Sequence, residues 1–173
     1  LRYSGRSLDR MGSLWLKNLL GMGLTEEQYG NIPHPRVELF IHVAYRAVQG
    51  TSFLGAFVVA PLVTLGKGPR NLQALSARCR SYAVYGALPG LVLGPCMYFG
   101  RMRGQPEEGY FDRCYRLRHN KNQVRVDRFS IGGAAAGTLL CTVSTYRPIE
   151  GLIFGMLGGV ITAAVLNSTL FSA

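Results

Sequence analysis

Arg46 is the one ionisable residue lying well inside a long helical apolar stretch of this chain, which makes it the first candidate for chemistry. A basic group in the middle of a bilayer-length apolar run costs about 2.5–3.5 kcal/mol on insertion scales, so it ordinarily marks a partner or a pathway. Two readings stand side by side. Either the guanidinium snorkels to the headgroups or joins a structural ion pair, with Glu38 about two turns away, or it lines a polar cavity. The other reactive types form no constellation. His34, His42 and His119 are scattered without partner spacing, as ordinary loop or interface histidines are. Cys79, Cys96, Cys114 and Cys141 show no CxxC and no zinc-type spacing, so they define neither a metal site nor a disulfide framework. Cys96 and Cys141 lie in apolar runs, where a small buried hydrophobe is expected. If Cys79 and Cys114 sit in successive loops, they face opposite sides and cannot pair. Glu107 and Glu108 stand beside Pro106 in a basic segment as solvated charge. No phosphate-cradling loop is present, because the glycines recur at helical spacing instead of following a strand. The expectation is a protein with no catalytic residues, no resident cofactor and no metal site, hence not an enzyme.

The elements that hold these residues are announced by glycine. Gly86, Gly90 and Gly94 form one four-residue series, Gly151, Gly155 and Gly159 another, and Gly133 and Gly137 keep the same beat between them. An interior glycine costs a water-soluble helix about 1 kcal/mol relative to alanine. In a bilayer, residues four apart share a face and let two helix backbones approach closely. The spacing therefore predicts an all-α membrane protein whose helices pack through Gly-x-x-x-Gly faces. Composition agrees. Charged residues make up 16% of the chain, yet the net charge is +10, so the few charges are mostly basic and mostly outside the apolar runs. That pattern suits basic loops facing anionic lipid or an acidic partner. It excludes a soluble nucleic-acid-binding domain, which would not carry four long apolar runs.

Four transmembrane helices are expected at about 38–65, 81–99, 129–146 and 151–171, within a domain covering 37–173. Pro61, Pro89 and Pro95 are expected to kink or end helices locally. Residues 1–36 read as an N-terminal amphipathic interfacial segment: Leu8, Met11, Trp15, Leu19 and Met22 share a helical face, with Arg6, Arg10 and Lys17 nearby. A mitochondrial targeting segment is the rival reading. Thr25 and Gln28 have capping-box spacing, so a short turn of helix should begin there. The first loop, Gly66 to Arg80, carries Lys67, Arg70, Arg78 and Arg80 and no acid. The second, Gly100 to Arg128, holds eight basic and four acidic residues. The third is a tight turn over Arg147, Pro148, Ile149 and Glu150, which makes the last two helices antiparallel neighbours. In the second loop Tyr110, Phe111, Arg113, Tyr115, Arg116, Arg118 and His119 interleave aromatic and basic groups. This segment either docks on a partner subunit or an anionic headgroup such as cardiolipin, or is an interfacial helix with no specific ligand. Arg46, Arg78, Arg80, Arg113, Arg116 and Arg118 are accordingly the candidate lipid or partner contacts.

From Asp127 through Gly132, Gly133 and Gly137, an acidic residue followed by a Gly-Gly-x-x-x-Gly helix resembles the four-helix mitochondrial inner-membrane translocase (Tim channel) family. The short turn and the Gly-x-x-x-Gly helix from Gly151 resemble it too, and the likeness extends over about Val37 to Phe171. Within that group the chain is most similar to the related accessory subunit of respiratory complex I. The resemblance implies a multi-pass protein of the mitochondrial inner membrane, without catalysis, bracing neighbouring subunits of a respiratory complex, with anionic lipid as a further partner. The alternative it implies is a component of an inner-membrane protein translocase or a related solute transporter. Orientation stays open, because a Lys and Arg count places the termini inward and the family resemblance places them in the intermembrane space. The poverty of polar groups within the apolar runs favours the structural role, since a conducting bundle should concentrate polar side chains on one face.

Overall fold

The computed structural model of the chain describes residues 25–170 together with Leu14, Lys17, Asn18, Leu20 and Met22. Most of the expected N-terminal amphipathic face, with Leu8, Met11, Trp15 and Leu19, lies outside the described residues. So do Arg6, Arg10 and the end of the expected fourth span at Phe171. Leu14, Lys17, Asn18 and Leu20 are helical, and Met22 is not.

Six helices follow: α1 Glu26–Gly30, α2 Pro35–Lys67, α3 Leu72–Met102, α4 Glu107–His119, α5 Lys121–Thr142 and α6 Pro148–Thr169. No strand occurs among the described residues. Their starts follow from capping chemistry. Thr25 Oγ1 accepts from the Gln28 amide at 3.4 Å while the Gln28 side chain accepts from the Thr25 amide at 3.1 Å, closing the capping box at α1. Pro35 and Pro148 open α2 and α6 at a position where the missing N–H costs nothing. Asn71 accepts from the Ala74 amide at 2.7 Å to start α3, and Asn120 from the Gln123 amide at 3.1 Å to start α5.

Several expected boundaries move. The helix begun at Leu72 absorbs Arg78 and Arg80, so these arginines stand on α3 and not in a loop. Its 31 residues reach about 46 Å at 1.5 Å per residue, well beyond the roughly 30 Å hydrocarbon core. Pro89 and Pro95 lie inside α3 without ending it, as prolines do where neighbouring helices re-satisfy the freed carbonyls. Pro61 likewise fails to end α2, which widens into a single π turn at Gly55–Val59 just before it. The second loop is mostly helical, holding α4 and the first two turns of α5. That fifth helix stops at Thr142, four residues short of the expected end, where the Thr142 and Ser144 hydroxyls donate to the Leu139 and Cys141 carbonyls. The turn is residues 143–147, and Pro148 to Glu150 form the first turn of α6.

Two antiparallel hairpins result, α2 with α3 and α5 with α6, and contacts within each far exceed those between them. The hairpins meet where Ala56 and Ala83 face Ile153, Met156 and Leu157. At one end, α4 lies across α2 and α3 through Leu39, Tyr98, Met102, Tyr110 and Cys114. Among the described residues the opposite end carries only the short connections, residues 68–71 and 143–147.

Three helices, α2, α3 and α6, are long and apolar enough to cross a membrane. Only 22% of the most apolar stretch of α3 is buried inside the molecule, so Leu88, Leu91, Val92 and Met97 face outward. Water would not tolerate apolar surface on this scale, and a bilayer matches it. The described residues are all helical apart from turns, and their three helices of spanning length and apolarity make the chain a membrane protein. The fifth helix misses the criterion because Lys121, Arg125, Asp127 and Arg128 occupy its first turns.

Candidate functional site

Glycine permits the close crossings that place the polar groups. In the first hairpin a Cβ on Gly94 would lie 2.6 Å from Ala44 Cα, one on Gly90 2.6 Å from Val48 Cα, and one on Gly86 2.5 Å from the Thr51 carbonyl oxygen. In the second, Gly133 and Gly155 oppose each other's backbones, as do Gly137 and Gly151, and a Cβ on Gly159 would lie 2.7 Å from Ser130 Cα. No side chain fits at these eight positions without moving a backbone. Gly132 and Gly158, on the outer faces of the same helices, have open space around them.

Across the gap between the hairpins runs a polar joint centred on Arg46. Its guanidinium donates to Asp127 Oδ1 at 2.6 Å, to Gln49 Oε1 at 2.5 Å and to the Gln123 carbonyl at 3.4 Å. The Gln123 side-chain oxygen, turned toward it, accepts as well. His42 Nδ1 lies 3.8 Å from the other Asp127 oxygen, and the Tyr45 hydroxyl donates to Ser130 Oγ at 3.1 Å. The stripe His42, Tyr45, Arg46 and Gln49 on α2 thus meets the stripe Gln123, Asp127 and Ser130 on α5. Arg46 thus joins an ion pair with Asp127 and does not reach Glu38, which pairs with Arg118.

Glu38 belongs to a second joint. It accepts two bonds from Arg118, at 2.8 and 2.7 Å, and the same guanidinium donates to the Gln28 and Asn31 carbonyls at 3.3 and 3.2 Å. The Arg118 side chain is only 4% exposed, so this candidate surface contact is turned inward to fasten α4 and the chain around α1 onto α2. Cys114, one turn earlier and fully buried, donates its thiol to the Pro35 carbonyl at 3.1 Å. Burial, and then the Glu38 carboxylate, push this thiol up to about 12. A crevice of about 220 Å³ opens between the two joints, with His42, Tyr45 and Asp127 as polar wall and Val37, Ile41 and Val124 as apolar wall.

The remaining sequence candidates are dispersed. Arg116 is exposed and paired with Asp112 at 2.9 Å, and Arg113 is half-buried on the same helix. At the far end Arg78 donates to the Gly68 carbonyl, while Arg80 sits 3.5 Å from Glu150 and 4.8 Å from the Tyr146 ring centre. His34 stands before α2, and His119 packs on Tyr29 and Tyr115. All four cysteines are free, and no metal-ligating cluster occurs among the described residues. Sequence spacing alone does not single out Asp127, Gln49 and Gln123 as site residues. A signal for them is nonetheless present in Gln123, Asp127 and Ser130, a polar stripe at helical spacing that faces the Arg46 stripe once both helices are drawn.

The arrangement is an ionic joint. Arg46 and Arg118 are each held by internal partners, which fixes the second hairpin to the first and α4 to α2. A family model described as a protein of unknown function (DUF1757) matches residues 15–166. No curated protein matches the chain.

Proposed function

We propose, for a chain that belongs to the DUF1757 family of unknown function, a non-catalytic structural role: a multi-pass subunit that braces neighbouring membrane subunits of a mitochondrial inner-membrane assembly, a respiratory complex and specifically NADH dehydrogenase. In this proposal α5 is a fourth crossing, with its charged first turns at the headgroup level and its glycine face inside the bundle. The observation that carries the structural part is the inward use of buried charge. Arg46 is held by Asp127 and Gln49, and Arg118 by Glu38 and two carbonyls, so these polar groups lock helices together. Outward, α3 presents Leu88, Leu91, Val92, Met97 and Phe99, a surface for lipid or another membrane subunit. The choice of respiratory complex rests on the likeness around Gly132, Gly133 and Gly137.

One observation favours the alternative, a component of a protein translocase or related solute transporter: the crevice beside His42 and Asp127 is partly polar. Native electrophoresis of mild-detergent membranes, with mass spectrometry of the band holding this chain, separates the two. Comigration with NADH dehydrogenase subunits is expected. Comigration with import components, or migration as a small homo-oligomer, overturns the structural reading.

A further inference from the structure

A groove of about 590 Å³ lies between the hairpins at the short-loop end, away from the Arg46 joint. Phe57 and Phe154 line it from α2 and α6, Leu72 and Leu75 from α3, and Arg80 and Tyr146 are also part of its wall. Its lining is mostly apolar, which an acyl chain reaching it from the bilayer would match. The charge at this end is one-sided. Lys67, Arg70 and Arg147 are exposed, Arg78 and Arg80 half-buried, and the one acid on this end of the helices and their loops is Glu150. Arg80 joins the two features, because it lines the groove and carries a cation that Glu150 and the Tyr146 ring hold at the hairpin junction.

We infer that this groove seats an acyl chain of an anionic phospholipid, with the phosphate placed among Arg80 and the surrounding loop cations. Charge argues against a second copy of the chain, whose matching end is equally basic. A headgroup phosphate answers five cations against one carboxylate and adds favourable contacts without displacing the Arg80–Glu150 pair. The lipid would fill the wedge between hairpins that otherwise touch over few residues. The inference rests on the proposed crossing by both hairpins and is independent of which assembly receives the chain.

The test is native mass spectrometry of the full chain released from nanodiscs of phosphatidylcholine and phosphatidylglycerol with matched acyl chains. Phosphatidylglycerol should be retained about tenfold or more over phosphatidylcholine, since each nearby cation contributes roughly fivefold. Arg80→Gln should lower that preference about fivefold. Leu75→Trp, which fills the groove and leaves the Arg80 contacts in place, should lower retention of both lipids. Arg103→Gln, which removes an exposed cation at the opposite end, should change nothing. Equal retention of the two lipids, or retention unchanged in Leu75→Trp, overturns the inference. So does Leu75→Trp releasing a neighbouring protein from the native membrane complex while purified chain keeps its lipid, because a polypeptide would then occupy the groove. Protease mapping of tags after Gln105 and Ser144 in sealed vesicles reports separately on the crossings: tags on opposite sides with no lipid preference sink the lipid seat alone.

Discussion

Replacing Arg46 with glutamine would leave the Asp127 carboxylate facing His42 and Gln123 without its cation, inside a bundle where neither charge reaches water freely. Stranding one partner of a buried pair costs about 3–5 kcal/mol in soluble proteins, while interhelical polar couplings in membranes average about 0.6 kcal/mol. The two side chains are 24% and 21% exposed, so the loss should fall between these limits, about 1–3 kcal/mol. Asp127→Asn should cost a similar amount, and the double variant less than the sum of the two, because the second change removes the stranded charge. Thermal unfolding of the four proteins in detergent measures this, and strictly additive losses would mean that the residues do not act as a pair. Cys114 offers a pH test. Its thiol rises from 9.0 to about 12 on folding, so the folded state resists deprotonation. The stabilisation is full below the unfolded value near 9 and is lost as pH climbs toward 12. Alkylation of Cys114 at pH 8.5 should therefore be negligible until the protein is unfolded, and rapid labelling of the folded chain would contradict its placement. In the sequence Arg46 is visible as a charge in an apolar run, but its partner is not, since Asp127 is distant along the chain and only tertiary packing brings α5 against α2. Arg118 misleads for a related reason: a basic residue among aromatics looks like surface, and its burial depends on Glu38 and two carbonyls contributed by other segments.

At the scale of elements, the glycine spacing announces which helix faces approach closely, because backbone contact excludes every larger residue. Gly155→Leu would drive a side chain into the Gly133 carbonyl and toward Gly137, whose Cα is 3.2 Å from where a Cβ would stand. Gly158→Leu, on the same helix, enters open space. The first should destabilise the second hairpin by about 3 kcal/mol or more, the second by no more than about 0.5 kcal/mol. Equal melting temperatures in detergent would mean that α5 and α6 do not pack through this face. Helix ends are less legible. The apolar runs mark what lies in hydrocarbon, whereas Asn71 and Asn120 cap helices that begin well outside it. The fourth helix is hard to see in the sequence because its buried face, Tyr110, Cys114 and Arg118 at four-residue spacing, ends in a charge that conceals the helical period.

For the whole molecule, the account requires four crossings, with α4 on one side and residues 143–147 on the other. Tags after Gln105 and Ser144 should be cleaved from opposite faces of sealed vesicles, and cleavage of both from one face would place α5 along the surface. Above topology stands the claim that this chain braces an assembly. Its most direct test is controlled depletion of the chain, followed over time by native electrophoresis of NADH dehydrogenase alongside precursor import into the same mitochondria. The account predicts that the assembled complex falls apart into smaller membrane fragments while import proceeds at its original rate. Loss of import with the complex still intact would contradict it.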